Sequence, residues 1–312
     1  MPRRKLLRPA IVLGALGTTL IALTATACGS DSSSEATGPK TVNVVASTDV
    51  WGSVASAVAG DHAKVTSILN SAVDDPHSYE ATPADAAAIT DAALVVYNGG
   101  HYDHWVDDVL EAQPGLTTVD AYSLTPNQPD GEPANEHVFY DLATAKAVAE
   151  RIAEQLATDD PANATAYRDN ATAFGAEADA IAAAERQIGQ KHPGAAVVAT
   201  EPVAHYLLAN AGVADRTPTS FASAVEEGDD PAPVDVAAML DLINGHQVSA
   251  VVVNKQTETP VTNQIQDAAR AAGVPIVTVT ETLQDGLDYL AWQRKTVEDL
   301  ANQLDRAPAV TR

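Results

Sequence analysis

The chain of 312 residues carries 18 Lys and Arg against 42 Asp and Glu, a formal net charge of −24, with a single cysteine. So acidic a surface repels phosphate backbones, which excludes nucleic acid as a partner, and one cysteine excludes an intramolecular disulfide. It draws cations in general without defining a site for any of them.

Residues 1–27 read as a signal peptide: Arg3, Arg4, Lys5 and Arg8 come without an acidic residue, and an apolar or small run follows from Ala10 to Ala27. A membrane span competes for a run of that length, but Ser, Asp and Gly follow it in place of a basic flank. Ala25-Thr26-Ala27-Cys28 resembles a lipobox, with Ala25 where leucine is usual, so Cys28 is expected to be the acylated first residue of the mature chain. Ordinary cleavage nearby, leaving a free thiol, is the alternative. The segment from Pro2 to Arg8 also resembles a twin-arginine signal, and the sequence leaves the export route open. Loss of residues 1–27 removes four basic side chains and leaves 14 against 42 acidic ones, a net charge of −28. Residues 28–40 then form the lipidated tether, Ser- and Gly-rich and without apolar periodicity.

Beyond the tether, short β-branched runs at Val42–Ala46, Val65–Leu69 and Leu94–Tyr97 alternate with Ala-rich segments of helical period. The pattern returns at Ala196–Ala199, Val248–Val253 and Pro275–Val279. Alternation of this kind predicts an α/β fold with largely parallel sheets. Between the two sets, Leu142, Ala145, Ala149, Ile152 and Leu156 mark one helix face. Asp160-Pro161 then supplies an N-cap candidate and a proline at the first helical position. A stripe through Tyr167, Phe174, Ala178, Ile181 and Ile188 predicts a helix of roughly 30 residues, about 45 Å long. Gly175 weakens it by about 1 kcal/mol and is a candidate bend. The expected organisation is an N-terminal lobe at 41–160, a stiff linker helix at 161–190 and a C-terminal lobe at 191–312. No Gly-rich phosphate loop, dinucleotide fingerprint or Gly-x-Ser-x-Gly elbow occurs.

Metal-capable side chains cluster just beyond strand ends, where α/β proteins place their ligands. They lie in Asp75-Pro76-His77-Ser78-Tyr79-Glu80, in Asn135-Glu136-His137 with the residues to Asp141, in Glu201-Pro202, and in Thr280-Glu281-Thr282-Leu283. In this order, with Ala59-Gly60-Asp61, Tyr97-Asn98-Gly99, Asp103, Trp105 and Asp160-Pro161-Ala162-Asn163, the segments resemble the metal-binding (zinc/manganese) solute-binding lipoproteins of ABC importers. The likeness runs from about Val42 to the C-terminus.

This resemblance implies a periplasmic-binding-protein fold of the class with a rigid linker helix, a non-enzymatic monomer, and delivery of one divalent ion to a permease. It implies a place outside the cytoplasm, anchored by lipid to the outer face of the cell membrane. Carried over by position, it makes His77 and His137 ligands from the first lobe, and Glu201 and Glu281 ligands from the second. Glu201 falls where zinc-type members have histidine and manganese-type members glutamate, while Glu281 replaces the family's aspartate and reaches one methylene further. Asp75 and Glu80 are candidates to orient the His77 ring, against a plain turn role for Asp75. His101 and His104, which flank Asp103, could make a minor surface site, whereas His62, His192, His205 and His246 are read as ordinary surface or core residues.

Two neutral imidazoles and two carboxylates would balance a divalent charge. Their oxygens favour manganese, zinc accepts the same ligands as a closed tetrahedron, and iron(II) is a further option. The stretch Ala121 to Glu136 holds Asp130, Glu132 and Glu136 but no histidine, which weakens the zinc reading, since zinc-type members often carry a His-rich loop there. Two other functions remain to be weighed. One is a metallohydrolase using His77, His137 and Glu201 with a water, although no His-Glu-x-x-His helix is present. The other is a surface adhesin or metal-storage lipoprotein without an importer.

Overall fold

The first β-branched run forms β1 (Val42–Thr48), and the chain continues through α1 (Asp49–Ala59), β2 (Ala63–Leu69), α2 (Pro83–Thr90), β3 (Leu94–Tyr97), α3 (His104–Ala112) and β4 (Thr118–Asp120). The computed structural model describes residues 41–71, 75–126, 134–284 and 286–308. Cys28, the expected signal peptide and the tether lie outside the described residues, as do Asp130 and Glu132. The four strands pair in the order β2-β1-β3-β4, each pair parallel. β3 is buried at every residue and β1 at all but one, as strands covered by helices on both faces must be.

Two long helices follow, α4 (Leu142–Asp159) and α5 (Ala164–Lys191). The second set then repeats the first: β5 (Ala196–Ala199), α6 (His205–Asn210), β6 (Ala214–Asp215), α7 (Thr219–Glu226), α8 (Pro233–Asn244), β7 (Ala250–Asn254), α9 (Pro260–Ala272), β8 (Ile276–Val279) and α10 (Tyr289–Leu304). Its strands run in the order β6-β5-β7-β8, again all parallel. The α/β expectation therefore holds. The edge strands β4 and β6, of three and two residues, are too short to produce a period in the sequence. Among the described residues no helix is long and apolar enough to cross a membrane.

α4 buries the predicted stripe of Ala145, Ala149, Ile152 and Leu156. The second long helix begins three residues later than the sequence suggests, because Pro161–Asn163 winds as a 3-10 turn. The Asp160 carboxylate fixes that turn, accepting from the Asn163 amide at 2.7 Å and the Tyr167 hydroxyl at 2.9 Å. Helix α5 runs unbroken through Gly175, so the candidate bend is not there. The glycine serves packing instead: a Cβ at that position would lie 3.1 Å from Cε of Lys146 on α4.

One apolar cluster extends from sheet to sheet, taking in Val44 and Val96 of the first, Ile152 and Phe174 of the long helices, and Val197 and Val252 of the second. Hydrogen bonds tie the same regions together. The Tyr140 hydroxyl donates to the Thr280 carbonyl at 2.9 Å, and the Tyr289 hydroxyl and Gln293 amide donate to the Phe139 carbonyl at 2.8 and 2.9 Å. The Leu283 amide donates to Asp49 and the Tyr289 amide to Ser53 on α1. Burial raises the Asp49 carboxyl to about 6 even though it accepts such bonds.

Candidate metal centre

His77 follows β2 in a tight turn, where the Asp75 carboxylate accepts from the His77 backbone amide at 2.9 Å. This is an Asx turn, the plain role weighed for Asp75 in the sequence. The imidazole packs edge-on against Tyr102, 4.7 Å between centroids, and lies 5.6 Å from the ring of His137. Tyr102 is wholly buried and also meets His137 and Phe139, so it forms the aromatic floor under both histidines.

His137 begins a 3-10 turn, Val138–Tyr140. Its backbone is gripped from two sides: Asn98 donates to the Glu136 carbonyl at 2.8 Å and Tyr206, on α6, donates to the Asn135 carbonyl at 2.7 Å. The His137 amide donates to Asn135 Oδ1 at 2.9 Å, which identifies that atom as oxygen. The ring Nδ1, 3.1 Å from the same oxygen, must then carry the proton, and Nε2 keeps its lone pair. A neutral imidazole with a free Nε2 is the form that binds a metal.

From the second sheet come Glu201, one residue past the buried turn at Thr200 that ends β5, and Glu281, two residues past β8. Between them stands Asn254, the last residue of β7. Its amide donates to Glu201 Oε2 at 2.6 Å and to Glu281 Oε1 at 2.7 Å. Hydrogen bonds to charged acceptors are each worth about 1.5–3 kcal/mol, and these two offset part of the repulsion between neighbouring buried carboxylates. The Glu281 backbone is pinned as well, its amide donating to Gln256 Oε1 at 2.5 Å.

The two sets meet at Glu281. Its Oε2 lies 3.4 Å from His77 Nε2 and 3.7 Å from His137 Nε2. Donor atoms about 2.1 Å from a shared ion stand about 3.4 Å apart in a tetrahedron and about 3.0 Å apart at an octahedral edge. The 3.4 Å separation equals the tetrahedral value and the 3.7 Å one lies slightly beyond it. His77 Nε2, His137 Nε2, Glu201 Oε1 and Glu281 Oε2 are all buried, and none makes a well-aligned hydrogen bond. Buried polar atoms rarely go unpaired without a reason, and here one such atom comes from each of the four residues singled out in the sequence. Glu201 joins the group through Asn254; the atoms gathered within 4.8 Å belong to His77, Glu136, His137 and Glu226, and to Asp75, His77 and Glu281.

Electrostatics separates the two imidazoles. For His77, burial opposes a charge, but the bond to Glu281 and the charges of Glu281, Glu136 and Asp75 outweigh it and raise the pKa to about 9. For His137, burial dominates over the pull of Glu281 and, with the neighbouring His77 charge, lowers it to about 3. Glu281 is pushed up by burial, yet His77, His137 and Asn254 hold it below the usual carboxylate range. Glu201 is raised by burial to about 7, with Glu281 adding to the rise while bonds from Thr257 and Asn254 oppose it. In the metal-free protein a proton on His77 thus supplies the positive charge at the centre.

Three contributors carry roles that the sequence did not assign. Glu136 faces His77 Nδ1 at 3.5 Å and takes the orienting place expected of Asp75 or Glu80. Glu80 is exposed, and Asp75 engages the backbone amide. Glu226, at the end of α7, comes within 3.7 Å of His137 Nε2. The third is Asn254. A polar residue closing the apolar run Val251-Val252-Val253 was the available signal for it; nothing around Glu226 marks it out. His101 and His104 are exposed and belong to neither group of converging metal-capable atoms.

A two-sheet α/β chain joined by long helices, with imidazoles and carboxylates converging near its strand ends, has the build of a solute-binding protein. The chain belongs to the family described as zinc-uptake complex component A, periplasmic, whose model matches residues 44–303. That family consists of substrate-binding proteins of metal ABC transporters and not of enzymes. The chain is 22% identical over 300 residues to the metal ABC transporter substrate-binding lipoprotein ScbA of Streptococcus cristatus, covering 90% of this chain and 94% of that one. It is 24% identical over 282 residues to the manganese-binding lipoprotein MntA of Bacillus subtilis (strain 168), covering 88% and 90%. Among solved structures, the laminin-binding protein Lmb of Streptococcus agalactiae, titled a bifunctional protein with adhesin and metal transporting activity, matches with a TM-score of 0.72. Identity there is 24%, over 85% of this chain and all of that one. The periplasmic zinc-binding protein TroA from Treponema pallidum matches with a TM-score of 0.71 at 18% identity, over 85% and 99%. These two likenesses show the fold.

Proposed function

We propose that this protein captures one divalent transition-metal ion, manganese ahead of zinc and with iron(II) as a further candidate, and delivers it to the permease of an ABC importer. The ion sits in the cleft between two lobes, residues 41–160 and 191–312, joined by the helix at 161–190. His77, His137, Glu201 and Glu281 hold it. The observation that supports this reading is the approach of the buried Glu281 Oε2 to His77 Nε2 and His137 Nε2, at 3.4 and 3.7 Å, with Glu201 tied to Glu281 through the Asn254 amide. The ion is cargo: nothing in the reading requires it to activate a water or polarise a bond. A metallohydrolase would need an open coordination position, and a centre with more carboxylates than it needs speaks against one.

The shared core and the hydrogen bonds from Tyr140, Tyr289 and Gln293 argue for small rocking of the lobes on release, without wide hinge opening. Cys28, acylated, would tether a monomer to the outer face of the cell membrane, in keeping with the lipoprotein names of the relatives. The test is uptake. Deleting the gene should abolish high-affinity accumulation of radiolabelled manganese at low external concentration, and restoring it should bring accumulation back. Uptake of manganese and zinc unchanged by the deletion would point to the adhesin or storage role instead.

A further inference from the structure

Glu226 ends α7 on the more open side of the site, its side chain 22% exposed where His137 and Glu281 are at 1%. Its Oε1 lies 3.7 Å from His137 Nε2, the same distance that separates this nitrogen from Glu281 Oε2. The fully buried His137 Nε2, unpaired by any aligned hydrogen bond, therefore points its lone pair at a spot flanked by two carboxylates. Atoms of His77, Glu136, His137 and Glu226 all lie within 4.8 Å of one another. Of the two outer carboxylates, Glu136 is already engaged with His77 Nδ1, the ring nitrogen not directed at Glu281. Glu226 faces the nitrogen that would bind the ion.

The position is an unfavourable one for an anion standing by itself. The last turn of α7 has no basic residue, so the carboxylate sits against the partial negative charge of a helix C-terminus. Glu136, with a carboxylate oxygen within 4.8 Å, adds a second negative charge beside it. A cation at the lone pair of His137 would remove both penalties.

We propose that Glu226 is a fifth protein ligand, closing the coordination sphere on the solvent side and biasing the site toward manganese over zinc; this rests on the metal-centre reading above. The chemistry follows from ligand count. Zinc is satisfied by four donors in a tetrahedron, whereas a fifth residue able to give one or two oxygens brings the sphere to the five or six positions that manganese prefers.

The experiment is competitive titration of the metal-free full chain with manganese and zinc, for wild type, Glu226→Gln and His77→Ala, with the cobalt(II)-loaded absorption spectrum of each. Glu226→Gln is expected to weaken manganese about tenfold or more while zinc changes by less than about threefold. Its cobalt bands should gain intensity as the coordination number falls, and the melting temperature of the metal-free protein should hold or rise, since the substitution relieves an unfavourable charge. An unchanged manganese-to-zinc ratio with an unchanged cobalt spectrum overturns the role of Glu226, and if His77→Ala loses both metals the reading beneath it stands. Retention of both metals by His77→Ala would remove that reading and this proposal together.

Discussion

Replacing His137 with alanine is expected to abolish metal-dependent stabilisation. A ligand that binds only the folded state adds about 4.1 kcal/mol when present at a thousand times its Kd. For a body of this size each kcal/mol moves the melting temperature by about 2–4 °C, so wild type should gain roughly 10 °C on loading with manganese. His137→Ala should gain almost nothing, because it removes a fully buried donor whose lone pair is fixed by a hydrogen bond at the other ring nitrogen, Nδ1 to Asn135. Scanning calorimetry with and without metal checks this, and the melt of the metal-free variant controls for folding. A variant that gains as much as wild type would mean that His137 does not bind the ion.

The second large effect is on pH. A ligand must lose its proton to coordinate, so affinity rises tenfold per pH unit for each proton displaced. His77 keeps its proton to about 9 and Glu201 to about 7, whereas His137 is already neutral, its pKa held near 3. Affinity should therefore climb about tenfold per unit between pH 7 and 9, and more steeply below 7, where Glu201 must also deprotonate. An unperturbed histidine would put the bend near 6.5 instead. The metal-free protein should respond with the opposite sign. The raised His77 pKa contributes stability that is complete below its unfolded value near 6.5 and is lost as pH rises through about 9. Metal-dependent stabilisation should thus grow across that window. Isothermal titration in buffers of different ionisation enthalpy counts the protons directly, and a flat affinity from pH 6 to 9 would contradict the assignment of His77.

Much of the fold was legible because it depends on local pattern. Leu94–Tyr97 and Ala196–Ala199 are continuous apolar runs with breakers on each side, and they form strands with those bounds. The α4 stripe repeats at helical spacing and is buried as that spacing requires. β4 and β6 carry no such signal, since two or three residues cannot display a period. Gly175 was misread for a related reason: whether a helical glycine marks a bend or a close contact depends on what packs against it, here Lys146.

The candidate site divides along the same line. His77, in the segment after β2, and His137, just before α4, were singled out by the ordered motifs that resemble the metal-binding lipoproteins. Glu281, one methylene longer than the family's aspartate, nevertheless reaches both histidines at 3.4 and 3.7 Å. Glu226 lies 89 positions from His137 in the chain, on a helix of eight residues, and only the packing of α7 brings it to the ring. Asn254 reads as the end of a strand until Glu201 and Glu281 are seen on either side of it.

The most direct measurement is anomalous diffraction from crystals of the manganese-loaded protein at the manganese edge. A single strong peak is expected within about 2.3 Å of His77 Nε2 and His137 Nε2, and in contact with a Glu281 oxygen. A peak elsewhere, for instance beside His101 and His104, or no peak between the two imidazoles, would contradict the account.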